Sequence, residues 1–319
     1  LSLVGSEMCI RDRDETTCRT LTTEDLISEE LLLPQPEETQ QTALIPESVE
    51  ATAGTALSNF RPAVQQVQID RTQLADYETL VRNFYAIDAN TMAGSDQLSV
   101  EKLLGMDMTL PQEGDGPQIL IYHTHSQEAF ADSVPGDVNT GIVGVGECLT
   151  KILTEQYGYR VLHNTGQYDV ETRDNAYSRA LPAVEQILAE NPSIQVIIDL
   201  HRDEVAEETK LVTDIQGRPT ARFMFFNGLS RTRKTGDIDY LANENQEANL
   251  AFSFQMQLKA AEYYPGLTRR IYLKGYRYNM HLRPRTLLVE LGAQNNTVEE
   301  AINACDPLAH ILDMVLKGE

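Results

Sequence analysis

Three short segments of the chain carry side chains that could act on a substrate together. They read HTHSQE at residues 123–128, HRD at 201–203 and ELG at 290–292, and the first two hold three of the six histidines. Imidazole nitrogen and carboxylate oxygen are common ligands of Zn²⁺, and catalytic zinc sites use three protein ligands plus an open position. The segments therefore indicate a zinc hydrolase.

The candidate metal ligands are His125, Glu128 and His201, with His123 and Glu147 as alternates. Alternate residues of an extended strand point to the same side, so spacing does not decide between His123 and His125. Glu147 is expected at the start of a helix, where its more favoured role is to cap that helix.

The candidate catalytic residue is Glu290, at the end of an apolar run where a carboxylate has no packing reason to lie. Zinc lowers the pKa of bound water toward about 7, and a separate carboxylate must then carry the proton to the leaving amine. Arg202 and Arg283 are the candidate substrate-binding residues, which would steady an oxyanion. Alternatively, Arg202 pairs with Asp203 as a structural group.

Apolar runs and helical spacing predict the elements that must position these side chains. Strands are expected at 119–122, 159–162, 194–200 and 285–289, and a hairpin around Gly217 from 210–215 and 221–226. Helices are expected within 72–104, where the apolar stripe includes Tyr85, and at 142–157, 174–190, 240–263 and 298–316, the last interrupted near Pro307.

This alternation predicts an α/β domain with a mostly parallel sheet flanked by helices. Ligands of such sheets bind outside the carboxyl ends of the strands. Each of the three segments follows a predicted strand, so they are expected to meet at one edge of the sheet.

Charge and composition divide the chain. The formal charge is -22, and residues 1–115 carry 21 of the 48 acidic residues but only 7 of the 26 basic ones. Such a chain repels phosphate backbones, which argues against nucleic acid as its main partner. We expect an acidic disordered linker at 14–58, a partly helical extension at 59–115 and the catalytic domain at 116–319.

Residues 1–13 resemble a translated adapter or assembly artefact, and the true N-terminus is expected to be missing. No run of 18 apolar residues occurs, so no membrane span is expected within the given chain. Cys148 and Cys305 lie in helical patterns and are expected to be small core residues.

Three motifs resemble those of the stage II sporulation protein P family of endospore-forming Firmicutes. They are ILIYHTHSQE at 119–128, IDLHRD at 198–203 and LLVELGAQNN at 287–296, and the resemblance covers roughly residues 75–319. The third motif also resembles zinc-dependent N-acetylmuramoyl-L-alanine amidases.

The resemblance implies a zinc-dependent peptidoglycan hydrolase that cleaves the amide between N-acetylmuramic acid and the stem peptide, and also peptide cross-links, during spore engulfment. It implies stage II sporulation proteins D and M as partners. It also implies an extracytoplasmic location at the septal or engulfing membrane, through an N-terminal anchor upstream of the given sequence.

Two other functions remain open. The spacing of His125 and Glu128 looks more like zinc carboxypeptidases than amidases, and Arg283 or Arg285 could then hold the terminal carboxylate of a free stem peptide. The other alternative is a catalytically inactive scaffold that binds the cell wall.

Overall fold

A computed structural model describes residues 60–111 and 114–319. Pro62–Glu319 form one compact unit. The artefact predicted at 1–13 and the linker predicted at 14–58 lie outside the described residues. Within the extension predicted at 59–115, the described residues contribute two helices and an edge strand of the main sheet.

The helices and strands have the following bounds. The strands are β1 (Tyr85–Ile87), β2 (Ile119–Tyr122), β3 (Val161–His163), β4 (Val196–Asp203), β5 (Val212–Ile215), β6 (Arg218–Ala221), β7 (Phe223–Gly228), β8 (Arg231–Thr232), β9 (Gly236–Asp237), β10 (Ile271–Lys274) and β11 (Arg285–Ala293). The helices are α1 (Tyr77–Phe84), α2 (Val100–Gly105), α3 (Ile142–Glu155), α4 (Ala176–Glu190), α5 (Gln246–Tyr263) and α6 (Val298–Lys317).

The main sheet has seven strands in the order β1-β10-β7-β11-β4-β2-β3. Strands β1, β10 and β7 are parallel to one another, and so are β11, β4, β2 and β3. The two groups meet in the antiparallel pair β7–β11. The predicted α/β fold with a mostly parallel sheet is confirmed, and the carboxyl ends of β2, β4 and β11 share one edge with the amino ends of β7 and β10.

Helices cover both faces of this sheet. Helix α4 packs on the face that carries Leu120, Tyr122 and Ile197, and its Val184 and Leu188 join their apolar cluster. Helices α3, α5 and α6 pack together on the opposite face. Strand β2 is buried along its whole length, which explains why the sequence shows it as an unbroken apolar run.

Several predicted elements differ from the structure. The helical stripe expected through Tyr85 ends at Phe84, because Tyr85 opens β1 and pairs with Ile271 of β10. Strand β5 forms its hairpin with β6, whereas Phe223–Gly228 is an interior strand of the main sheet. The β1–β10 and β7–β11 pairings join residues far apart in the sequence, which local patterns do not reveal.

The last two predicted elements are also longer than expected. Strand β11 continues through Glu290 to Ala293, with a register shift against β4 between these two residues. Gly292 supplies the positive φ of 66° that this irregularity requires. Helix α6 runs without interruption through Pro307 and packs against both α3 and α5.

Cys148 and Cys305 are free thiols, and Cys305 is buried against the carbonyl of Val145. Among residues 60–111 and 114–319, no helix has both the length and the apolar character needed to cross a bilayer.

Candidate active site

Strands β4 and β11 position the first two site residues. His201 and Glu290 are direct register partners on these parallel strands, so their side chains point to the same face of the sheet. This is the face covered by α4, since Tyr177 at the start of that helix stacks on the ring of His201. The sequence pattern placed Glu290 just after a strand at 285–289, but Glu290 lies within β11.

The turn after β2 brings two more predicted residues to the same place. The rings of His125 and His201 have centroids 5.3 Å apart. His201 Nδ1 lies 3.6 Å from Glu128 Oε2. His125, Glu128 and His201 are all buried, with at most 8% of their surface exposed. The structure thus brings the predicted ligand set and Glu290 together.

Glu128 is held by two arginines. Its Oε1 accepts a hydrogen bond of 2.8 Å from Arg173 Nη2, and its Oε2 accepts one of 2.8 Å from the backbone N–H of Arg202. Burial alone would raise the pKa of Glu128, but His201 and Arg173 outweigh burial and lower it. Glu128 is therefore ionised at neutral pH.

A carboxylate that the sequence analysis did not single out lies against His201. Its Nε2 lies 2.8 Å from Asp199 Oδ1. The backbone N–H and hydroxyl of Thr124 donate to Asp199 at 2.9 and 2.7 Å. Burial disfavours the charged ring, yet Asp199 and Glu128 raise the pKa of His201 well above its ordinary value. The signal for Asp199 was its spacing of two from His201 in a strand, which places both on one face.

His125 has a different electrostatic environment. Its Nδ1 is buried without a hydrogen bond among the described residues, 3.8 Å from Asp169 Oδ2. Burial lowers the pKa of His125, so that its ring is neutral and one nitrogen has a free lone pair. Asp169 and Arg173 lie in the loop before α4, where no sequence pattern marks them.

The two alternates occupy a separate cluster. His123 Nδ1 donates to the carbonyl of Leu200 at 2.8 Å, and its Nε2 lies 2.8 Å from His163 Nε2. His163 Nδ1 in turn lies 3.0 Å from Glu147 Oε2. Burial lowers the pKa of His123 to about 4. Glu147 does not cap α3 as predicted, because the helix begins five residues earlier at Ile142.

The predicted arginines have other contacts. Arg202 directs its Nε to the carbonyl of Ala129, and the carboxylate of Asp203 pairs with Arg269. The structural ion pair expected between Arg202 and Asp203 is therefore wrong. Arg283 donates to the carbonyls of Ile194 and Leu282, at the opposite end of the β4–β11 pair from His201. The structure does not bring Arg283 to the site.

Glu290 has the properties of a proton-transferring group. Its Oε2 is buried without a hydrogen-bond partner among the described residues. Burial raises the pKa of Glu290 to about 8, while His201 opposes this shift. A carboxyl group with such a pKa can hold and release a proton near neutral pH.

The residue types of this site suit zinc, although the side chains do not form a complete metal site. Within the part of the chain that the structure describes, no group of three or more His, Cys, Asp or Glu is arranged to hold a metal ion. The free lone pair of His125 and the carboxylate of Glu128 match the nitrogen and oxygen donors that zinc prefers, and His201 would join them once metal binding releases the proton that its raised pKa retains. Glu128 would have to share oxygens that already accept bonds from Arg173 and Arg202.

Comparison with known proteins identifies related sequences. The model of the family described as "Stage II sporulation protein P" matches residues 31–313. Stage II sporulation protein P of Bacillus subtilis (strain 168) is 26% identical over 217 residues, which cover 62% of this chain and 51% of that protein. The chain thus spans about half the length of this curated relative.

The solved structures that match the chain include amidases of low sequence identity. N-acetylmuramoyl-L-alanine amidase AmiC2 of Nostoc punctiforme is 11% identical, with a TM-score of 0.38, 64% of this chain and 97% of that chain covered. N-acetylmuramyl-L-alanine amidase Ami1 of Mycobacterium smegmatis is 14% identical, with a TM-score of 0.39, 67% of this chain and 100% of that chain covered.

Proposed function

Because the chain belongs to the stage II sporulation protein P family, we propose that it is a peptidoglycan hydrolase of sporulation. The proposed reaction is hydrolysis of the amide between N-acetylmuramic acid and the stem peptide, with peptide cross-links as further substrates. The observation that carries the proposal is the convergence of His125, Glu128, His201 and Glu290 at one edge of the sheet.

We propose that His125, Glu128 and His201 hold Zn²⁺. When bound, zinc supplies an acidified water and polarises the substrate carbonyl. The Asp199 carboxylate lies 2.8 Å from His201 Nε2, which leaves Nδ1, 3.6 Å from Glu128 Oε2, as the nitrogen that would face the metal. A carboxylate behind a ligating histidine fixes its tautomer and increases its basicity.

Glu290 is the proposed proton carrier. It lies beside His201 on the neighbouring strand, and its Oε2 has no competing hydrogen bond among the described residues. It would accept a proton from the attacking water and return it to the leaving nitrogen, which balances the hydrolysis of an amide. Arg173 and the backbone N–H of Arg202 keep Glu128 in place meanwhile.

The two arginines named for the carboxypeptidase alternative do not support it. It requires a cation near the reacting carbonyl to hold a terminal carboxylate. Arg285 donates to the carbonyls of Met108 and Thr109, and Arg283 to that of Ile194, all at the end of β11 away from Glu290. Neither candidate is thus available at the site.

We also propose the biological context that the family implies. The chain would act outside the cytoplasm at the septal or engulfing membrane, with stage II sporulation proteins D and M as partners. Fractionation of sporulating cells, and co-purification of D and M with a tagged full-length protein, test this context. Recovery in the cytoplasmic fraction would contradict it.

The enzymatic proposal is tested by digesting purified peptidoglycan with the zinc-loaded protein and analysing the products by mass spectrometry. Amidase action releases intact stem peptides and peptide-free glycan strands, whereas action on cross-links releases muropeptide monomers. A carboxypeptidase would shorten soluble stem peptides and leave sacculi insoluble. Binding of sacculi without any product would indicate a non-catalytic scaffold.

A further inference from the structure

Arg222 lies at the same edge of the sheet as the candidate active site. It directly precedes β7, and its carbonyl accepts a hydrogen bond of 3.0 Å from the N–H of Gly292. Met224, two residues later, is the register partner of Glu290. Because alternate residues of a strand share a face and register partners lie side by side, Arg222 belongs to the face of Glu290 and His201.

The guanidinium of Arg222 has no partner in the part of the chain that the structure describes. Its Nε is buried without a hydrogen bond, and no ion pair joins it to a described carboxylate. By contrast, Arg173, Arg218 and Arg269 each pair with a carboxylate. A partly buried cation without a counter-charge is costly unless something else neutralises it.

A second arginine, Arg269, lies next to Arg222. Thr268 forms a β-bridge with Phe223, and the backbone N–H of Arg269 donates to the carbonyl of Phe223. The carboxylate of Asp203 pairs with Arg269 and not with Arg222. Burial and the nearby Arg269 both lower the pKa of Arg222, consistent with a desolvated and uncompensated guanidinium. Since Asp203 balances Arg269, the uncompensated positive charge is that of Arg222.

We propose that Arg222, supported by Arg269, binds a carboxylate of the peptide part of the substrate and thereby selects stem peptides with free carboxylates. This inference rests on the proposed function. Planar guanidinium groups recognise carboxylates through paired hydrogen bonds. The strand spacing places the Cα of Arg222 roughly 8 Å from that of Glu290. A peptide carboxylate one or two residues from the scissile amide can span this distance.

Two synthetic muramyl peptides test the inference, one with free carboxylates and the other with all of them converted to carboxamides. For the wild-type protein we expect kcat/KM to be about ten- to a hundred-fold higher on the free acid, as for a charge-assisted hydrogen bond. In Arg222→Gln this ratio should fall close to one. Arg233→Gln is the matched control, since Arg233 is exposed on the loop between β8 and β9 and should preserve the ratio.

Equal rates on the two substrates in the wild-type protein, or an unchanged ratio in Arg222→Gln, would overturn the role of Arg222 while the hydrolase proposal stands. If the wild-type protein cleaves neither substrate, the proposed function fails, and calorimetric binding of the two peptides decides about Arg222 separately. Preferential binding of the free acid that is lost in Arg222→Gln supports the site, and equal affinities refute it.

Discussion

Glu290 and His201 are register partners on adjacent parallel strands, and both side chains lie on the face beneath α4. Burial raises the pKa of Glu290 to about 8, and the neighbouring His201 opposes that shift. A rigid pair of strands holds them together without the need for a mobile loop.

Replacement of His201 by Ala should abolish zinc binding and hydrolysis, because two remaining ligands hold a catalytic ion poorly. Metal analysis of the purified protein measures the occupancy. His281→Gln is the control, as His281 lies in the 3₁₀ segment Met280–Leu282 before β11 and is not one of the proposed ligands. Full zinc occupancy in His201→Ala would remove this residue from the site.

Glu290→Gln preserves the shape of the side chain and eliminates proton transfer. We expect retained zinc and muropeptide affinity with turnover reduced by about a hundred- to ten-thousand-fold. Steady-state kinetics together with metal analysis separate this effect from loss of the metal. Near-normal turnover with zinc bound would show that another carboxylate moves the proton.

Asp199→Asn should weaken the orientation of His201 rather than remove a ligand. Loss of a carboxylate behind a ligating histidine lowers metal affinity or activity by about 10- to 100-fold. Competition with a zinc chelator reports the affinity directly. Asp237→Asn, at an exposed ion pair with Arg231, is the control and should not change zinc affinity.

Thr297→Ala should destabilise the fold through the start of α6. Thr297 and Glu300 form a capping box, in which the Thr297 side chain accepts from the Glu300 N–H and Glu300 accepts from the Thr297 N–H. Loss of the Thr oxygen costs about 1 kcal/mol in the free energy of unfolding. Denaturant titration measures the loss, and Thr297→Ser should restore most of the stability. An equal loss in both variants would contradict a capping role.

The stability of the protein should fall on acidification partly through His281. Burial, with a smaller effect of Arg277, lowers the pKa of His281 to about 4, whereas an unfolded histidine has a pKa of about 6.5. Between these two values the unfolded chain binds a proton that the folded chain does not, so stability decreases as the pH falls.

His281→Gln should therefore lose less stability than the wild-type protein between pH 7 and pH 5. Denaturant titrations of both proteins at the two pH values provide the comparison. A parallel decline in the two proteins would exclude His281 as a contributor.

Local patterns in the sequence were sufficient to predict much of the fold and to name the candidate site residues. Strand β2 was predicted with its observed bounds, since a strand buried on both faces is an unbroken apolar run. The family resemblance carried by the three motifs is confirmed by the match over residues 31–313. The ligand candidates could be named from residue type and from their positions at the ends of predicted strands.

Tertiary structure alone decided which side chains meet. His123 and His125 look equivalent in the sequence, but β2 ends at Tyr122, and the turn directs His123 to Leu200 and His125 toward His201. The contact of Arg173 with Glu128 joins residues 45 positions apart. Likewise, Arg222 reaches the edge of Glu290 only through the antiparallel pairing of β7 with β11. Such contacts depend on chain reversal and strand order, and local spacing contains neither.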